Sequence, residues 1–227
     1  GRATRAFFDA ALEAGVQVML GQVVSRLDHC GGRISGVWTG DKLHRAAIVL
    51  CAAGTGSEKL LRKVGYDLPQ ERIRATVART RRRPDLHLDP CVSLPLTGVR
   101  QDANGAFVLS VAGGEYDVRA DSWRYMRTYQ STRKENPGAA RLNYWAPLQS
   151  LLPAWTSATL ADIPPTSERV HPEKWRVDQA VAELREFLPA IAELTVESSW
   201  AGIIDTLPDV VPVLGSVDRL DGLLVAT

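Results

Sequence analysis

The stretch that decides the fold is "AIVLCAAGTGSEKLLRKVGYDLP", Ala47 to Pro69. It opens with an apolar run without alternation, as expected of a strand covered on both faces. Gly54 and Gly56 then permit a tight turn. Ser57 is placed as an N-cap, with Glu58 in the first turn. Leu60, Leu61 and Val64 form the inner stripe of a helix that Gly65 ends. Strand, glycine turn and helix start together make a place where backbone can approach a phosphate or ribose. A plain strand-to-helix connection accounts for the same residues. The turn reads G-T-G-S-E-K, with Lys59 where a dinucleotide fingerprint needs its third glycine, so it is not that fingerprint.

Working outward on the N-terminal side, "GRATRAFFDAALEAG" carries Phe7, Ala11, Leu12 and Ala14 on one helical face and stops at Gly15. The pattern is already in progress at the first residue. With "LDGLLVAT" ending as an uncapped apolar strand, the chain reads as an internal piece of a longer polypeptide. Between helix and buried strand, "VQVML" and "QVVSRLDH" read as strands. Arg33 to Ile48 alternates as a hairpin with one wetted face.

On the C-terminal side the texture changes near Pro69. "ERIRATVARTRRRPD" alternates as a long strand with a basic end, Arg79 and Arg81 to Arg83. No aromatic residues interleave with those arginines, so a solvated strand end stopped by Pro84 is favoured over an RNA contact. "CVSLPLTGVRQDANGAFVLSVAGGEYDV" gives strands separated by turns, hence an antiparallel sheet. "ADSWRYMRTYQ" reads as helix, and Leu148 to Pro172 as a proline-rich surface excursion. "RVDQAVAELREFLPAIAEL" is a helix with Val177, Ala180, Val181, Leu184, Phe187 and Leu188 inward, ended by Pro189.

The 227 residues allow one large domain or two joined ones. Lys+Arg 27 against Asp+Glu 26 gives a charge of +1, with no field to recruit nucleic acid or an anionic membrane. Cys30, Cys51 and Cys91 are odd in number and lack CxxC spacing. They read as small buried thiols in a reducing compartment, with no disulfide framework and no metal site. No apolar run is long enough to span a membrane. P-loop, zincin and nucleophile-elbow motifs are absent.

The closing segment, "ELTVESSWAGIIDTLPDVVPVLGSVDRLDGLLVAT", resembles the part of FAD-dependent amine oxidoreductases of the D-amino-acid oxidase and glycine oxidase class where the chain returns from the substrate domain to the flavin domain. Trp200, Gly202, Pro208, Asp209, Pro212 and Gly215 match that family's pattern, and Leu207 replaces its usual Thr. "VVSRLDHCGGRISGVWTGDKLHRAAIVLCAAGTGSEKLLRKVGYDLP" is similar to the middle of the flavin domain. In its A-A-G-A-W turn, Thr55 and Gly56 replace Ala and Trp.

The resemblance implies an α/β fold, part of a Rossmann-like FAD-binding domain with an inserted α+β substrate domain built on an antiparallel sheet. Its implied divisions are 1–78, the middle of the FAD-binding domain, then 79–195, the substrate domain, and 196–227, the return segment. FAD would be held noncovalently, since Gly202 stands where related enzymes carry a flavin-linking cysteine. Val24 would offer its backbone to the adenine end, and Ala53 and Gly54 would line the phosphates or ribose. Gly202 would leave room for the ring, with Trp200, Ile204 and Asp205 as candidates for the substrate pocket. A strand valine, a turn glycine and a core tryptophan need no ligand to explain them, and Asp205 can equally cap backbone groups. No catalytic acid or base is assigned, and Tyr116 and Arg119 are left unplaced. The arginine that binds a substrate carboxylate in glycine oxidase-like enzymes is absent, Ile203, Ile204 and Asp205 occupying its place.

The implied activity is oxidation of the C–N bond of an amino acid or secondary amine to an imine, by hydride transfer to flavin. The implied partner is a small-molecule amine, with partner subunits also open, and the implied location is cytoplasmic. The alternative is a noncatalytic interaction subunit or degenerate fragment of the fold that binds no flavin. The family's N-terminal glycine motif and C-terminal flavin loop lie outside these residues, so the piece alone is expected to be inactive.

Overall fold

A computed structural model of the chain describes residues 1–117, 122–135, 137, 140–143, 170–191 and 193–227. The proline-rich excursion at 148–172 therefore lies outside the described residues up to 169, as does Arg119.

Helix α1, Arg2–Glu13, ends as expected, Gly15 taking φ +86° and donating to the Leu12 carbonyl. None of its residues is buried, and Phe7 on its apolar face is 79% exposed. "VQVML" forms no strand. Val16, Val18, Met19 and Leu20 stand exposed with no neighbouring strand among the described residues to pair with. Strands β1 (Val24–Cys30), β2 (Arg33–Thr39) and β3 (Lys42–Arg45) make an antiparallel meander. Its β2–β3 arm is the expected hairpin.

The buried strand is β4, Val49–Cys51. A single 3-10 turn, Gly54–Gly56, leads from it into helix α2, Ser57–Arg62. Here the cap differs from expectation. Ser57 is the first helical residue, Gly56 holds the N-cap position, and the Ser57 hydroxyl is fully buried without a hydrogen-bond partner. The free helix N–H of Glu58 is satisfied from elsewhere in the chain.

Strand β5, Glu71–Arg82, is the spine of the second half. With β6 (Val92–Ser93), β7 (Thr97–Gln101), β8 (Ala106–Val111), β9 (Gly114–Asp117) and β10 (Ala140–Asn143) it forms a sheet in the order β10-β9-β5-β8-β7-β6. The "DANG" turn works through Asp102, whose carboxylate accepts from the N–H groups of Asn104 and Ala106 at 2.7 and 3.1 Å. Two of the arginines at the basic end are paired, Arg79 with Asp102 at 2.8 Å and Arg83, just past β5, with Asp85 at 2.7 Å. The helix expected through Gln130 is two short ones, α3 (Ser122–Tyr125) and α4 (Gln130–Glu135).

Helix α5, Lys174–Phe187, lays Val177, Ala180 and Leu184 on the sheet. Phe187, expected inward, is 49% exposed because it stands at the margin of the stripe. Strand β11, Val196–Thr206, pairs antiparallel with β5 along nearly its whole length, Gly202 opposite Ala75 and Asp205 opposite Arg72. The chain closes with β12 (Leu214–Ser216) and β13 (Leu223–Ala226), and β13 pairs parallel with β4.

Two cores result. One gathers Leu27, Ile34, Cys51, Leu60, Leu61 and Leu68 with Leu207, Val217, Leu220, Leu223 and Val225. The other gathers Ala78, Val99, Phe107, Leu109 and Val111 with α5 and with Ile191 and Leu194. A short crossing at Asp221–Gly222 ties the first core together, with Ile34 N–H donating to Asp221 O and Val49 N–H to Gly222 O at 2.8 and 2.9 Å. Of the three cysteines only Cys51 is buried. Cys30 and Cys91 are exposed, at a strand end beside the Gly31–Gly32 turn and in the loop after Asp89–Pro90, which corrects the expectation of buried thiols.

Candidate functional site

In open sheets with parallel strands, ligands gather at the carboxyl ends of those strands, where backbone groups emerge unpaired. Among the described strands β9 pairs parallel with β10 at the edge of the large sheet and β4 pairs parallel with β13, and it is the second pair that runs into the glycine turn. The chain leaves β4 into Ala52, Ala53 and the Gly54–Gly56 turn, and leaves β13 at Thr227.

Both exits meet at Gln70, the residue just before β5. Its Oε1 accepts from the N–H of Glu58 at 3.2 Å, the helix N–H that Ser57 does not cap. Its Nε2 lies 3.1 Å from the Gly54 carbonyl oxygen, 2.5 Å from Asp205 Oδ2 and 3.1 Å from Thr227 Oγ1. Two N–H groups are thus shared among three acceptors. The Thr227 hydroxyl donates to Asp205 Oδ2 at 2.9 Å and closes the cluster. Two residues on, Arg72 donates to the Thr55 carbonyl at 2.8 Å. Two of the glycine turn's three carbonyls, those of Gly54 and Thr55, are thus held by Gln70 and by Arg72 at the start of β5.

The same junction is bolted by two tyrosines. Tyr129 accepts from Glu71 N–H at 3.1 Å, and its hydroxyl lies 2.7 Å from Pro69 O and 2.5 Å from Thr206 O. Tyr125 donates to Asp67 at 2.6 Å and sits beside the buried Glu58 carboxylate. Burial, reinforced by its bond to Asp67 and that charge, pushes the Tyr125 phenol up to about 12. Burial and the Glu71 charge push Tyr129 up as well. Both phenols therefore stay protonated and act as neutral bolts. Burial also raises the Glu71 carboxyl, against the pull of Arg133 at 2.7 Å.

From this corner β11 runs outward along β5. Ala201, Ile203 and Asp205 lie on the side that faces α5 and the Gln70 cluster. Trp200, Gly202 and Ile204 lie on the other, opposite Val77, Ala75 and Ile73. That face is open, with Trp200 45% and Ile204 49% exposed. A Cβ built on Gly202 would meet nothing within 4 Å, and the same holds at Gly54, whose φ is +52°. Two bare stretches of backbone thus border free space, one at the carboxyl end of β4 and one on an apolar strand face. The geometry can seat a flat, partly apolar group that needs close backbone approach.

Of the residues singled out from sequence, the structure brings Ala53, Gly54 and Asp205 to the Gln70 junction and sets Trp200, Gly202 and Ile204 on the adjoining open face. Val24 stands apart. It begins β1 and packs on the first core, with its neighbour Ser25 accepting from Lys63 Nζ at 3.0 Å. Asp205 has its Oδ2 occupied by Gln70 and Thr227. Gln70, Tyr125 and Tyr129 were not legible in the sequence. The partners of Gln70 lie 12, 16, 135 and 157 positions away, and no local pattern marks such a residue.

Among the described residues no helix is long and apolar enough to cross a membrane. The family model described as "FAD dependent oxidoreductase" matches residues 1–227. Hydrogen cyanide synthase subunit HcnC of Pseudomonas protegens is 24% identical over 99% of this chain and 42% of its own length. Among solved structures, L-amino acid deaminase from Proteus vulgaris aligns with a TM-score of 0.80 at 20% identity, over 96% of this chain and 52% of that one. The L-amino acid deaminase of Proteus myxofaciens, solved with anthranilate, gives 0.82 at 19%, over 96% and 50%. Glycine oxidase from Bacillus cereus gives 0.64 at 16%, over 99% and 48%. The chain spans about half the length of the relatives it matches.

Proposed function

The chain belongs to the DAO family of FAD-dependent oxidoreductases, and from that premise we propose that it forms one wall of the flavin and substrate site of an amine or amino-acid oxidising enzyme. The observation that carries the reading is the convergence just described. The ends of two parallel strands and a glycine turn pinned at two of its carbonyls come together at Gln70, where Gly54 borders free space, and β11, which runs out from the same corner, carries an open face that is bare at Gly202. FAD fits that setting, needing close backbone approach along its ribose and phosphates and a flat apolar surface beside its ring.

In this reading Ala53 and Gly54 line the ribose or phosphates, Val24 offers backbone toward the adenine, and Gly202 leaves room beside the ring. The cofactor is held noncovalently. When bound, it supplies the hydride acceptor that allows a C–N bond to be oxidised to an imine. The chain's own contribution is alignment and exclusion of water. Trp200 and Ile204 provide the apolar wall against which the substrate's side chain rests. Asp205 acts by bracing β11 against the Gln70 junction. The two cores support the division into flavin-side segments 1–78 and 196–227 and a substrate unit 79–195, with β5 and β11 passing between them. A cytoplasmic setting accords with three free cysteines, and a partner subunit accords with the name of the HcnC relative.

The test is to mix the full-length protein anaerobically with a panel of amino acids and secondary amines and follow the flavin absorbance. Bleaching by at least one member, with an imine-derived carbonyl product, is the expected outcome. A flavin-loaded protein that no amine reduces would overturn the proposed chemistry.

A further inference from the structure

We propose that Gln70 is a positioning residue for the cofactor, setting the conformation of the Gly54–Gly56 turn through its Nε2 rather than only fastening two strands together. The inference rests on the reading above, in which that turn lines the flavin. Gly54 holds a left-handed φ of +52°, one of several regions open to a glycine. The turn closes on its own bonds, Gly56 N–H to Ala53 O and Ser57 N–H to Gly54 O, and two side chains from outside it set the direction of its carbonyls, Gln70 on Gly54 and Arg72 on Thr55. In a trans peptide the carbonyl and the N–H point in opposite directions. Drawing the Gly54 oxygen toward β5 therefore turns the Thr55 N–H to the other side of the turn, away from Gln70. Because the same amide also reaches Asp205 on β11 and Thr227 beyond β13, one side chain sets three backbone segments in register.

A cohesive role and a positioning role use different arms of this side chain, and chemistry can separate them. Gln70→Glu keeps an oxygen for the Glu58 N–H but puts a second one against the Asp205 carboxylate and the Gly54 carbonyl. Adding Asp205→Asn supplies an amide that can donate to the new carboxylate, so the link between β5 and β11 returns. The Gly54 carbonyl still lacks its donor from Gln70.

The experiment compares full-length wild type, Gln70→Glu and the double variant by thermal unfolding of the apoproteins. FAD titration followed by tryptophan fluorescence and the position of the bound flavin's visible bands complete the comparison. The single variant is expected to lose both thermal stability and FAD affinity. The double variant is expected to regain the melting temperature while binding FAD about tenfold more weakly, one lost hydrogen bond's worth, with shifted flavin bands. Should the single variant fail to fold, the double variant still decides. Recovery of wild-type FAD affinity and spectrum along with the melting temperature would overturn the inference. A wild-type protein that binds no FAD would overturn the functional reading and this inference with it, an outcome visible before any variant is made.

Discussion

Substituting valine for Gly202 should separate folding from function. Gly202 lies within β11, paired with Ala75, and a Cβ there would meet nothing within 4 Å. The folded protein therefore has room for the side chain. A glycine within a strand is less stable than alanine by about 0.5–1 kcal/mol through its extra backbone entropy, and β-branched residues suit a pleated surface. Gly202→Val should consequently leave the unfolding free energy unchanged or raise it by about that amount. The cost falls on whatever occupies the open face. Forcing extra methyl groups into a packed contact costs about 1–3 kcal/mol, or about 5- to 150-fold in kcat/KM. The assay is urea unfolding of the variant beside its flavin content and its rate of flavin reduction by the best amine of the panel. A variant that folds as well as wild type and turns over equally fast would refute the placement of Gly202 at the reacting site. A variant that loses stability would refute the claim that its face is open.

Gly222→Ala should act oppositely, since Gly222 has φ +79° and an added Cβ would stand 2.4 Å from Ala47 O and 2.7 Å from Ile34 Cγ2. Left-handed strain and overpacking together predict about 2–5 kcal/mol of lost stability, read by urea unfolding, and a loss below about 1 kcal/mol would contradict it. Arg176, a buried residue of α5, donates to Glu173 and to the carbonyls of Ala112 and Gly114 at 3.0–3.1 Å. Arg176→Met should cost about 3–5 kcal/mol in the same assay, because it leaves the buried Glu173 carboxylate with only the longer pairing to Arg74 at 3.7 Å and removes a donor from two carbonyls. Asp28 accepts from the Ser35 hydroxyl and Trp38 Nε1, and those bonds hold its carboxyl below the ordinary range. Its folded-state pKa is depressed, so its contribution is present above the unfolded value of 3.8 and is lost as pH falls through the folded one. Asp28→Asn should flatten the acid limb of a stability-against-pH curve and leave its slope near neutrality unchanged.

What the sequence revealed was local. The apolar run of β4, its glycine turn, the β2–β3 hairpin, the α5 stripe at Val177, Ala180 and Leu184, and the long strand from Glu71 all follow from patterns within a few residues. What it hid depends on distance or on neighbours. "VQVML" has strand composition, yet a strand exists only beside another, and none of the described residues pairs with it. Ser57 had the chemistry of an N-cap, but Gln70, 12 residues after Glu58, takes the helix N–H instead. Cys30 and Cys91 are exposed because of where their turns and loops fall. For the proposed site, the family resemblance pointed to the glycine turn and to β11. It did not reveal that Gln70, Tyr125 and Tyr129 hold those pieces together, since their partners are brought near only by the tertiary fold.

The central claim is that these residues form a wall of a flavin site, and the most direct measurement is the cofactor content of the full-length protein. The full-length protein should be yellow and should release intact FAD, equimolar with the chain, when unfolded by heat. A folded, colourless protein that takes up no added FAD would contradict that claim.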